Sequence, residues 1–148
     1  MTTWTKGRGL LGPMKPLLGR WTAQTEAYGQ PVTCQRVFEP FGKGWVRLDA
    51  AWNLPGQTYL ETAFFGPVED GRLGFFSFTN DGKRSTGQLA DGTDVDPQAI
   101  AFEAQMPAGL ARMIYWPWRT VAGFNFAVES RTKKGWNRFV IHSYRPES

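Results

Sequence analysis

The sequence predicts an all-β protein, an antiparallel up-and-down β-barrel of about ten strands with little helix. Three observations carry that prediction. Short apolar runs alternate with turn residues about every eight to twelve positions, the spacing of an all-β sandwich or barrel. Aromatic residues make up 15% of the chain, with 11 Phe and 7 Trp, and such side chains fit a pleated, half-buried surface better than a helix. No segment keeps the period of an amphipathic helix.

The chain has 148 residues, a common length for one domain. It shows no internal repeat, low-complexity tract or linker, so residues 1–148 read as a single domain with an irregular lead-in over 1–18. At this length roughly 68–70% of the unfolded surface is buried, enough for a core. The one cysteine, Cys34, cannot form an internal disulfide, which makes a cytoplasmic location the expectation. After Lys6 and Arg8 only Gly9, Leu10 and Leu11 precede Gly12-Pro13, too short a run for a signal-peptide core. No stretch approaches the roughly 20 apolar residues of a membrane span.

The net charge is +4, and its placement is uneven. Residues 1–118 hold 11 basic and 11 acidic side chains, whereas residues 119–148 hold 6 basic against 2 acidic. Nucleic-acid binding requires a clustered basic face with stacking aromatics. Here Arg131, Lys133 and Lys134 surround one turn, which reads as a solvated turn, so no nucleic-acid partner is expected.

Pro16 to Leu18 reads as one helical turn, with Pro at its first position. Strands are expected at Gly19–Ala27, Thr33–Glu39, Trp45–Asn53, Thr58–Phe65, Arg72–Thr79 and Lys83–Leu89. Four more follow at Ala99–Met106, Arg112–Trp116, Phe124–Ser130 and Trp136–Tyr144. In the first, Trp21, Ala23, Thr25 and Ala27 share a face, because side chains alternate in a strand. Asn80-Asp81-Gly82 is the clearest turn and suits a type I′ hairpin. Sequential strands joined by short turns argue a meander, and closing it removes aggregation-prone edges. The loop over 90–98 carries Asp91, Asp94 and Asp96, but no Glu closes it as a calcium loop requires, so it reads as an acidic surface loop.

Gly19-Arg20-Trp21, just after a short turn and opening the first strand, resembles the Gly-x-Trp signature of the calycin superfamily. That resemblance implies that Trp21 plugs the closed end of a barrel and that an Arg of the last strands, Arg138 or Arg145, stacks on it. A ten-strand count is similar to the fatty-acid-binding and nitrobindin branches more than to the eight-stranded lipocalins. Phe64-Phe65-Gly66, Asp70-Gly71-Arg72-Leu73, Phe76-Ser77-Phe78, Asp81-Gly82-Lys83 and the ending Gly135-Trp136 with Tyr144-Arg145 resemble small bacterial lipocalin-like domains. Nitrobindin relatives carry a longer Gly-x-Trp-x-Gly-x-Gly string and a heme-ligating His near the C-terminus. Here Thr22-Ala23-Gln24 breaks the string, and the one His is His142.

On the last strand Trp136, Arg138, Val140, His142 and Tyr144 alternate onto one face, with Asn137, Phe139, Ile141 and Ser143 on the other. Fatty-acid-binding proteins end in an inward Arg-x-Tyr that holds the ligand carboxylate, and His142-Ser143-Tyr144 resembles that ending. The expected site is therefore Arg138, His142 and Tyr144 inside an apolar lumen, holding an anionic head group by charge-assisted hydrogen bonds. Tyr115 and Trp116, within Tyr115-Trp116-Pro117-Trp118-Arg119, read either as a portal or as rings sealing a barrel end. Cys34, with Arg36 two residues on, reads as a small buried hydrophobe rather than a reactive thiol. Asp49 and Glu61 on adjacent strands could pair as carboxylates. One His and one Cys leave little for nucleophilic catalysis, and no metal-ligand spacing appears. The leading expectation is thus a binding protein for a small hydrophobic molecule, with no metal and no catalytic residue. An enzyme using His142 and Tyr144 as acid and base, a heme protein with His142 as axial ligand, and a barrel packed shut are the alternatives.

Overall fold

Five hairpin turns at one end alternate with four connections at the other, and this alternation gives the barrel two different ends. In the computed structural model, which describes residues 4–147, ten antiparallel strands close in the order β1-β10-β9-β8-β7-β6-β5-β4-β3-β2. The strands are β1 Gly19–Ala27, β2 Gln30–Phe41, β3 Trp45–Leu54, β4 Gln57–Pro67 and β5 Leu73–Thr79. Then follow β6 Arg84–Ala90, β7 Ile100–Met106, β8 Gly109–Pro117, β9 Phe124–Thr132 and β10 Gly135–Pro146. The all-β, up-and-down expectation holds strand by strand. The first three residues of the lead-in, like residue 148, lie outside the described part.

The lead-in supplies the plug. A 3-10 turn over Gly12–Leu17, longer than the expected single turn and started by Pro13, buries Met14 and Leu17 completely against the core. Trp21 is half-buried at this end, but not under an arginine. Its indole Nε1 donates to Leu17 O at 2.7 Å, and its ring meets Phe124 edge-on at 4.8 Å. Among the described residues no cation stacks on Trp21. The reason lies in the register: Trp21 pairs with Pro146, Arg145 is exposed opposite Thr22, and Arg138 lies far down the strand. The ring is covered by apolar neighbours instead, each such edge contact contributing about 0.5–1.5 kcal/mol.

The hairpin turns gather at the end opposite the plug. The type I′ turn is Tyr28-Gly29, where both residues have positive φ, 53° and 74°. Asn80-Asp81-Gly82, expected to be type I′, differs: only Gly82 is left-handed, at φ 87°, and Gly82 N donates to Thr79 O at 3.1 Å. That is a type I turn followed by a left-handed glycine, a three-residue hairpin device.

Loop 91–98 straps across the outside of β7–β9. Its three aspartates are engaged in structure. Asp94 takes a bidentate pair from Arg112 at 2.8 and 3.0 Å, Asp96 pairs with Arg119, and Asp91 accepts from Thr93. Among the described residues no group of three or more His, Cys, Asp or Glu could hold a metal ion. No helix among them is long and apolar enough to cross a membrane.

Candidate functional site

β2 carries the unexpected residue. Its inward face reads Val32, Cys34, Arg36, Phe38, four alternating positions that are all buried. Arg36 thus projects a guanidinium into the lumen with 7% of its surface exposed. Nη2 donates to Tyr115 Oη at 2.7 Å, and the nearest carboxylate, Glu61 Oε1, is 4.0 Å away. Phe126 lies 4.1 Å under the guanidinium carbon, a cation–π contact. Nε has no hydrogen-bond partner among the described residues, although an unpaired buried donor is costly.

A cavity of about 260 Å³ opens around this group. Cys34, Arg36, Trp52, Glu61, Tyr115, His142 and Tyr144 are among its lining residues, and Lys83 and Arg84 stand at its mouth beside the β5–β6 turn. Its deep wall is aromatic. Phe65 and Phe102 meet at 5.0 Å, Tyr115 and Phe126 at 4.8 Å, and Phe124 stacks on Tyr144 at 5.3 Å.

The protonation of the polar groups follows from burial. Burial works against the Arg36 charge, but Tyr115, Tyr144 and Glu61 around it more than offset this, and it stays cationic. Burial pushes the Tyr115 hydroxyl up to about 12 against the pull of Arg36. Burial likewise raises Tyr144. Both phenols therefore keep their protons at neutral pH, and Tyr115 Oη, already accepting from Arg36, keeps its own hydrogen to donate. His142 is pushed below its ordinary value by burial and then by Arg36, so its imidazole is neutral. It stands edge-on to Trp52 at 5.3 Å. Cys34 is pushed up to about 11 by burial, which leaves an inert thiol rather than a nucleophile. The lumen thus holds one fixed cation, several neutral donors and one carboxylate, Glu61, which already accepts from Ser77 Oγ at 2.5 Å. Donors outnumber acceptors, the condition for holding an anion.

The expected trio divides. His142 and Tyr144 line the cavity, whereas Arg138 lies on the outer wall. A β-bulge between Arg138 and Val140 is the cause: Arg138 pairs with Glu129 but Val140 pairs with Val128, so Phe139 is the extra residue. One inserted residue moves everything before it to the other face. Arg138 instead donates to Glu129 Oε2 at 3.0 Å and stacks on Trp116 at 4.9 Å, while Phe139 and Ile141 point to solvent. Tyr115 and Trp116 also separate, as neighbours on a strand must. Tyr115 is inside, and Trp116 packs outside over Ala99, Ala101, Ile114 and Ala127. Both lie toward the plugged end, so they form no portal. Asp49 and Glu61 do not pair, because Asp49 faces outward to Arg47 and Thr62 while Glu61 faces the lumen.

Arg36 is the residue that sequence reasoning undervalued. Its signal was present, an arginine in the middle of an otherwise apolar alternation. Trp52 and Ser77 give no comparable signal. The chain matches no protein-family model, and no curated protein matches it.

Proposed function

We propose that this protein binds a small apolar molecule with an anionic group, the anion held at Arg36 and the apolar part in the chamber above it. The supporting observation is the buried guanidinium facing a cavity, with a hydrogen bond to Tyr115, an unpaired Nε and its nearest carboxylate at 4.0 Å. Such a charge is expensive to keep away from water, and an incoming carboxylate supplies the bidentate partner it lacks. Tyr115 and Tyr144 add neutral donors to the same spot. This internal arrangement is similar to what the calycin resemblance implies for fatty-acid-binding proteins, with the arginine supplied by β2 rather than by the last strand. Heme fits less well, because the chamber is small for a porphyrin and Trp52 stands against the one imidazole.

The test is calorimetric titration of octanoate into the wild type, Arg36→Met and Arg138→Met. Saturable binding by the wild type and Arg138→Met, weakened at least tenfold in Arg36→Met, is the expected result. Equal binding by all three proteins, or loss only in Arg138→Met, would overturn the assignment.

A further inference from the structure

We propose that the ligand is a compact monocarboxylate of about ten non-hydrogen atoms, bound head-down, and that long acyl chains gain nothing from their extra length. This rests on the reading of the barrel as an anion-binding chamber and adds a size and an orientation to it. The size comes from volume. An apolar cavity of roughly 150 Å³ takes one benzene. In the same proportion, about 260 Å³ takes about ten non-hydrogen atoms, the size of octanoate.

The orientation comes from what lies on either side of Arg36. Toward the plug, Phe38, Tyr115 and Phe124 are buried ring against ring at 5.9 and 5.7 Å, and Met14 and Leu17 are fully buried beneath them. There is no room for a chain in that direction. Toward the hairpin end lie Trp52, Met106, Met113 and Val140, a mainly apolar sleeve that carries Tyr59, Thr79 and Ser85 on its β4–β6 side and ends at Lys83 and Arg84. The carboxylate therefore reaches Arg36 first, and the tail fills the sleeve. A tail longer than the sleeve emerges between two cationic side chains into water, where further methylenes bury no apolar surface.

Calorimetry with straight-chain acids from butanoate to dodecanoate, each kept below its micelle concentration, tests this. Within the sleeve each added methylene should raise affinity about fourfold. The rise should stop near octanoate or decanoate. Octanol, of the same length without the charge, should bind at least tenfold more weakly than octanoate. Met113→Ala, which enlarges the sleeve from its side wall on another strand from Arg36, should extend the rise and tighten dodecanoate about tenfold. An unbroken rise through dodecanoate in the wild type, or no gain for dodecanoate in Met113→Ala, would overturn the size inference while leaving anion binding in place. No saturable binding of any acid would instead remove the reading on which it rests.

Discussion

Arg36 is a side chain costly to the fold, and the proposed anion binding is what would make it useful to the molecule. Its guanidinium is desolvated, and its carboxylate partner Glu61 is 4.0 Å away with 27% of its side chain still accessible. Replacing a poorly compensated buried charge by an apolar chain of similar length is often neutral or stabilising by about 1–4 kcal/mol. Arg36→Met should therefore unfold in urea at a midpoint no lower than the wild type. A lower midpoint would show instead that the guanidinium is a net contributor to the fold. His142 carries the pH dependence. Its folded value lies below the ordinary 6.5, because burial and Arg36 disfavour the imidazolium. Between the folded value and 6.5 the unfolded chain binds more protons, so stability is complete above 6.5 and is lost as pH falls below it. Urea midpoints at about pH 7.5 and about pH 5.5, on either side of the unfolded value, should show this loss, and His142→Gln should lessen it. An unchanged pH slope in the variant would contradict the burial argument. At this scale the sequence was half legible. The inward positions of His142 and Tyr144 follow from alternation near the end of β10, whereas the face of Arg138 depends on a bulge that no residue type marks.

The strands were legible because turns and alternating faces repeat along the whole chain, and β1 has the bounds expected of it. What escaped was local chemistry at turns and on the outer wall. Tyr28 adopts φ 53° in the type I′ turn although it is 84% exposed and packs little. A non-glycine residue there is strained, and asparagine tolerates the conformation better. Tyr28→Asn should stabilise the protein by roughly 0.5–1 kcal/mol in denaturant titrations. A loss would show that the ring has a packing role. On the outer wall Arg112 is 2% exposed and bridges Asp94 of the 91–98 loop to Glu129 of β9, with Trp136 over its guanidinium at 4.4 Å. Arg112→Met would leave Glu129 buried with Arg138 as its remaining cationic partner and would unstrap the loop. The expected cost is about 3 kcal/mol, read as a lower urea midpoint. A near-wild-type midpoint would show that the network contributes little. The sequence suggested only an acidic surface loop here, because Glu129, 17 positions from Arg112, meets it only through strand pairing, and Asp94, 18 positions away, only through the path of the folded loop.

Across the whole barrel the wall is closed unevenly. β1 and β10 share two register pairs, Trp21 with Pro146 and Thr22 with Arg145, and β6 and β7 share three, from Gln88–Glu103 to Ala90–Ala101. All five lie at the plugged end. Toward the hairpin end neither seam carries ladder pairs among the described residues, so the one closed sheet is tied at these two seams mainly near the plug. Amides in the hairpin-end halves of β1 and β6 that face the seams rather than β2 and β5 should exchange with solvent before those bonded across the seams near the plug, since unpaired backbone opens at lower cost. Uniform protection along both strands would contradict that picture. Under the proposed function a ligand would enter at the end where the wall is least tied, past Lys83 and Arg84, and meet Arg36 below. The most direct test observes that guanidinium itself, through the arginine Nε–H resonances in a nitrogen–proton correlation spectrum, with Arg36 assigned by its loss in Arg36→Met. Adding octanoate should shift the Arg36 Nε–H resonance, and octanol should not. An Arg36 resonance unmoved by octanoate would contradict the account.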